Sequence, residues 1–229
     1  MAKILMTAIV ADIRNKLNGS VFSKNRYGAY VRTKVTPVNP QTTSQQNARN
    51  ILSTNAQAWR GLTEAERQGW VSAGASFPFT DIFGNSKQLS GSALYSKLNN
   101  NLLHAGEAPI SAAPSPVAIP DLGGITITAA EAVPALSMVM ATTPVPAGFS
   151  LMVFATPNIG AGRSFVKNQF RFISAVAAAA ASPVNLLAAY QAVFGNPVAG
   201  QKIFVKAFYV STVTGQAGIP AQAMAIVAA

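Results

Sequence analysis

The sequence predicts an α+β protein in two parts, a basic module of a β-hairpin with helices followed by an all-β sandwich. Three observations carry this reading. Three segments with helical spacing or caps precede Gly106. Pro109, Pro114, Pro116 and Pro120 then crowd a dozen residues that no regular helix can accommodate. Beyond Gly123 the pattern turns to short alternating runs separated by Gly and Pro. The expected divisions are therefore a module over residues 1–107, a Pro/Ala-rich linker over 108–122 and a sandwich over 123–229.

In the first part, Val21-Phe22-Ser23 and Ala29 to Thr36 flank Lys24-Asn25-Arg26-Tyr27-Gly28, which reads as a hairpin. Strand alternation puts Ala29, Val31, Thr33 and Val35 on one face and Tyr30, Arg32 and Lys34 on the other. Pro37-Val38-Asn39-Pro40 imposes an extended connector, because each proline fixes its own φ and restricts the residue before it. A helix is expected from about Thr43 to Trp59, with Ala48, Ile51, Leu52, Asn55 and Trp59 near one face. Thr63 followed three residues later by Glu66 has capping-box spacing, so a second helix is expected from Glu64 to about Val71. Trp59 and Trp70 are expected to pack across this corner rather than to serve as ligand platforms. Asp81 to Asn85 reads as a turn. Ser90 to His104 reads as a third helix, with Leu94, Leu98 and Leu102 at i+4 steps and Gly106 as its stop. His104 lies where an imidazolium would favour the helix dipole.

In the second part, Ile125 to Thr128, Leu136 to Ala141, Phe149 to Ala155, Gln169 to Val176, Ile203 to Val213 and Ala221 to Val227 are strand candidates. A short helix is expected over Asn185 to Phe194. Repeated short strands punctuated by turns point to a sandwich of immunoglobulin or fibronectin type III style. Without Cys, and without Trp in this half, it cannot carry the disulfide-pinned immunoglobulin pattern.

Chemistry is limited by inventory. The chain has 7 carboxylates, 1 histidine and no cysteine, and no Asp or Glu follows Glu131. Acid–base, nucleophilic and metal-dependent reactions draw on those residue types, so the reading is non-enzymatic, with no catalytic residue, cofactor or metal. Gly160-Ala161-Gly162-Arg163-Ser164 lacks the spacing of a phosphate-binding loop and reads as a hairpin loop. Asn18-Gly19-Ser20 matches a glycosylation sequon, which carries little weight without a secretory signal. The run Ile4 to Ala11 is short and soon followed by Asp12 and Arg14, so no export leader is expected; Ala175 to Phe194 is interrupted by Ser182, Pro183 and Asn185, so no membrane span is expected.

Charge and composition point to partners. Only 10% of residues are charged against 50% apolar, which suits a surface covered by neighbouring subunits, a homo-oligomer within an assembly among them. The net charge is +10, and between Ile13 and Thr63 eight cations meet no carboxylate. Arg26 at the hairpin turn, with Tyr30, Arg32 and Lys34 on one face, is the candidate partner-binding surface. It reads equally as an edge kept soluble by charge, as a dock for an acidic protein lattice, or as a contact for nucleic-acid phosphates.

A further likeness rests on particular segments. Gly28-Ala29-Tyr30-Val31-Arg32, Pro37-Val38-Asn39-Pro40-Gln41-Thr42 and Gln45-Gln46-Asn47-Ala48-Arg49 resemble a recurrent stretch of bacteriophage virion proteins and prophage-like reading frames. Trp59-Arg60-Gly61-Leu62-Thr63, Arg67-Gln68-Gly69-Trp70, Phe83-Gly84-Asn85, Ser90-Gly91, Leu94-Tyr95 and Asn99 continue it over roughly the first half. The resemblance implies a small structural component of a virion (capsid-associated, decoration, head-fibre or tail) made in the host cytoplasm. Its partners would be other virion proteins, such as a major capsid subunit. It brings no catalytic residues. The alternative from the residues alone is a nucleic-acid-binding protein using the basic stripe.

Overall fold

The computed structural model describes residues 2–5, 12–36, 38–39, 41–81 and 83–229. The chain is mixed α+β, with several sheets and four helices among the described residues. Most of the run Ile4 to Ala11, the prolines of the Pro37–Pro40 connector and Ile82 of the Asp81–Asn85 turn lie outside them.

Strands β1 (Ala2–Ile4), β2 (Asn15–Leu17), β3 (Ser20–Asn25) and β4 (Gly28–Thr33) form an antiparallel sheet in the order β1-β4-β3-β2. Two-residue turns set its register. Arg26-Tyr27 joins β3 to β4, with the Asn25 side-chain oxygen accepting from the Tyr27 N–H. Asn18-Gly19 joins β2 to β3, Asn18 adopting φ +50°. Asn-Gly is a strong hairpin signal, so the supposed sequon is a turn. The two flanking strands are only three residues long, too short for alternation to reveal.

Helix α1 (Thr43–Gly61) starts at Thr42, whose hydroxyl accepts from the Gln45 N–H. Of its expected inner face, Asn55 is buried and Trp59 packs inward, but Ala48 and Leu52 are exposed. That corrects the sequence reading: the first half of α1 lacks cover from the described residues. Helix α2 (Glu64–Ala73) carries the full capping box. The Thr63 hydroxyl accepts from the Glu66 N–H, and the Glu66 carboxylate accepts from the Thr63 N–H at 2.8 Å. A 3-10 turn (Gly74–Ser76) and the short pair β5 (Phe79–Thr80) and β6 (Ser86–Lys87) lead to α3 (Gly91–Ala105). Gly106 ends α3 at φ +85°, a conformation that costs glycine least.

The helices share a core of Trp70, Leu94, Tyr95 and Leu98. Trp59 packs against the cluster that contains Trp70, and each of the two rings lies on Tyr95, with centroids 5.4 and 5.2 Å away. Two buried side chains of this core are matched to the backbone of the Pro-rich stretch. Asn99 brackets Ile110, accepting from its N–H at 2.7 Å and donating to its carbonyl at 3.1 Å, and the Trp70 indole donates to the Ser111 carbonyl. The Pro-rich stretch has no regular structure, but Ile110 and Ala113 lie on the helical core, and Ile119 and Leu122 lie in the next one. It is a packed strap rather than a free tether.

The second core is built by β7 (Ile125–Ala130), β8 (Ala135–Met140), β9 (Phe149–Ala155), β10 (Arg171–Val176), β11 (Val184–Asn185), β12 (Lys202–Ser211) and β13 (Ala221–Ile226). One sheet has the order β10-β9-β12-β13 and the other β11-β8-β7. Their facing side chains, among them Leu151, Val153, Val205, Ala207 and Tyr209 against Ile125, Leu136 and Met138, share one apolar cluster. Helix α4 (Leu187–Phe194) adds Tyr190 to it. At the chain's end, Ala228 bonds to the β7 backbone, donating to Ala129 and accepting from Glu131.

Alternation along β9 and β12 leaves Ser150, Met152, Phe208 and Val210 on the opposite side of the four-stranded sheet. Of these, Ser150, Met152 and Val210 are buried, because α3 lies against β9, β10 and β12 there. The β12–β13 loop completes the contact. Gly215 sits against the Leu98 carbonyl of α3, and Asn101 donates to the Gly215 carbonyl at 2.8 Å. Helices, four-stranded sheet and three-stranded sheet are thus three stacked layers.

Candidate docking surface

Antiparallel register fixes which side chains share a face, since directly opposed residues project to the same side. Tyr30 opposes Lys3 on β1 and Ser23 on β3; Arg32 opposes Val21, which in turn opposes Lys16 on β2. The sheet therefore assembles Lys16, Val21 and Arg32 as one row and Lys3, Tyr30 and Ser23 as the next. Arg32 and Lys16 are exposed, Tyr30 is half-buried. Arg26 lies in the β3–β4 turn at one end of the hairpin. Lys34 follows β4 at the other end, its N–H donating to the Gly19 carbonyl at 2.8 Å. Of the four residues singled out from sequence, the fold brings Tyr30 and Arg32 together and sets Arg26 and Lys34 apart at the extremities.

Lys3 and Lys16 extend the face and were missed, because β1 and β2 are too short to declare themselves. Lys3 is partly neutralised: its ammonium lies 3.5 Å from the Asp81 carboxylate, whose side chain is only 3% accessible. Desolvation pushes the Asp81 carboxyl up, but N–H donation from Phe83 and Asn85 and the nearby Lys3 charge outweigh it and hold the group below the usual carboxylate range. Tyr27 packs edge-on against Phe79 at 5.7 Å, a second tie between sheet and β5–β6. Lys16, Arg26, Arg32 and Lys34 have no carboxylate within ion-pair distance among the described residues. These four cations leave positive charge on the sheet and its turns.

Among the described residues, no three His, Cys, Asp or Glu side chains come together as metal ligands, and no helix is long and apolar enough to cross a membrane. His104 lies at the end of α3, as expected, beside a ring of the four-stranded sheet. Its ring lies 5.0 Å from Phe172, and desolvation lowers its pKa, favouring the neutral imidazole over the imidazolium the helix dipole would prefer. Residues 160–163 form a plain turn closed by the Arg163 N–H on the Gly160 carbonyl. Comparison with protein-family models, curated proteins and solved structures gave no match to this chain.

Proposed function

We propose that this chain is a non-enzymatic structural component of a bacteriophage virion, of capsid-associated, decoration or head-fibre type rather than tail. It docks through its basic N-terminal sheet onto more acidic neighbouring subunits, and copies of it repeat within the particle. The observation that carries the docking reading is the Lys16–Val21–Arg32 row beside Tyr30, whose two exposed cations meet no carboxylate within ion-pair distance among the described residues. An aromatic beside uncompensated cations suits a protein interface, where Tyr and Arg are enriched. The virion assignment rests on the resemblance of the first half to phage structural segments.

The finer architecture belongs to the same reading: a hairpin-and-helix module over 1–107, a connecting segment over 108–122 and an immunoglobulin- or fibronectin-type sandwich over 123–229. Strand order supports the last part. Lettering β7 to β13 as A, B, C, C′, E, F, G gives ABE facing C′CFG, an arrangement related to the immunoglobulin sandwich.

The test is charge reversal in the phage-producing host. Arg32→Glu with Lys34→Glu should leave the circular dichroism of the purified protein unchanged and remove it from particles. Unchanged incorporation would overturn the docking face. Salt-sensitive binding of duplex DNA lost in the same variant, with incorporation intact, would favour the nucleic-acid alternative.

A further inference from the structure

The last 98 residues contain five cations, Arg163, Lys167, Arg171, Lys202 and Lys206, and no carboxylate. Arg163 and Lys167 lie on the loop between β9 and β10, Arg171 opens β10, and Lys202 and Lys206 lie on β12. Lys206 opposes Phe154 on β9 and Gln222 on β13, on the side of the sheet away from the sandwich core. The α3 helix covers the other end of that side; here the β9–β10 loop folds over it, with Ile159, Val166 and Phe204 in a small cluster against Phe170. Between loop and sheet is an open cavity of about 350 Å³ lined by Phe165, Phe170, Lys167, Lys206, Ser164 and Gln222.

Two features make this more than a gap. The Lys206 ammonium sits 5.0 Å from the centroids of both the Phe154 and Phe170 rings, so cation–π attraction holds it at the cavity wall with no anion spent on it. Phe165 is 70% exposed and lines the same space, offering a flat apolar surface. The polar groups decide the ligand. Lys167 and Lys206 can only donate, leaving Ser164 and Gln222 as the side-chain acceptors, so a guest must bring its own acceptors. A cation or metal ion would meet repulsion. The volume falls in the range of small-ligand pockets, about 300–1,000 Å³.

We infer that this cavity binds an anionic ligand built on a ring, its phosphate or carboxylate against Lys206 and Lys167 and its ring against Phe165. A nucleotide and an acidic sugar share that chemistry. The site is on the opposite half of the chain from the docking sheet and does not depend on the virion reading.

Titration of the full-length, isotope-labelled protein by NMR tests it, using adenosine monophosphate, glucuronate, adenosine and inorganic phosphate as probes. At least one ring-bearing anion should shift residues 163–170, Lys206 and Gln222 saturably, with adenosine and phosphate each weaker by about tenfold or more. Whichever of the two anions binds identifies the source. Lys206→Gln should weaken binding by about tenfold. Phe165→Ala, which removes only an exposed ring, should do likewise while leaving the rest of the spectrum in place. Failure of both ring-bearing anions to saturate would overturn the inference. So would equal binding by wild type and both variants, or shifts spread evenly over the N-terminal cations.

Discussion

At the scale of single residues, neutral polar side chains tie segments together beside the apolar cores. Asn99 uses its whole amide to hold the backbone of Ile110, and Asn55 donates to Asn100 at 2.7 Å between α1 and α3. Buried groups of this kind cost free energy unless matched, and their partners come from remote chain positions. Periodicity puts Asn99 and Asn55 on helices but cannot say what they bond, so these anchors were illegible. His104 was legible in position but its surroundings were not, because Phe172 approaches from a strand nearly seventy residues away. Its lowered pKa has a consequence for stability. The unfolded chain takes up the proton first, so stability is complete above the ordinary histidine value of 6.5 and declines as pH falls from there towards the lower folded value. NMR titration should find His104 protonating below that value, and His104→Gln should flatten this part of the pH–stability curve. A folded-state value at or above 6.5 would refute the assignment.

Among the elements, those with strong local chemistry could be read directly. The i+4 leucines and Gly106 marked α3, and Thr63 with Glu66 marked the start of α2. The capping box is a clean local contribution: Thr63→Ala leaves the Glu66 N–H without its side-chain partner and should cost about 1 kcal/mol by urea denaturation. A midpoint indistinguishable from wild type would mean the cap is redundant. The elements that escaped are those too short to show a period. Strand β11 has two residues, β1 and β2 three each, and their pairing is decided by neighbours rather than by their own composition. Asn18-Gly19 did carry a turn signal, which went unread because no strand was recognised on its N-terminal side. The prolines rightly excluded a helix from the strap. They could not disclose that Ile110, Ile119 and Leu122 fasten it to two cores.

Taken as a whole molecule, the two halves meet where composition suggested separation. Helix α3 covers one end of the four-stranded sheet, and Gly215 makes the approach possible. At φ +70°, a β-carbon built on Gly215 would overlap the Leu98 carbonyl, so there is no room for one. Gly215→Ala should therefore destabilise the protein by at least the 1–3 kcal/mol typical of such backbone strain. Wild-type unfolding followed by Trp fluorescence, which reports Trp59 and Trp70, and by far-ultraviolet circular dichroism should coincide. The variant should unfold earlier. Unaltered stability would mean that the loop is not seated on α3. The docking face was half legible for the same reason that the interface was not. Alternation along one strand revealed Tyr30 and Arg32, whereas Lys3 and Lys16 required the whole sheet. Lys3 is paired with Asp81, whereas Lys16 and Arg32 have no carboxylate within ion-pair distance among the described residues.

The most direct measurement is electron cryo-microscopy of purified particles from the phage-producing host. The account predicts density for this chain repeated over the particle, with the β1–β4 sheet turned towards an acidic neighbour and Arg32 and Lys16 within ion-pair distance of its carboxylates. Particles without the chain, or with the β1–β4 sheet facing solvent and the contact made elsewhere, would contradict it.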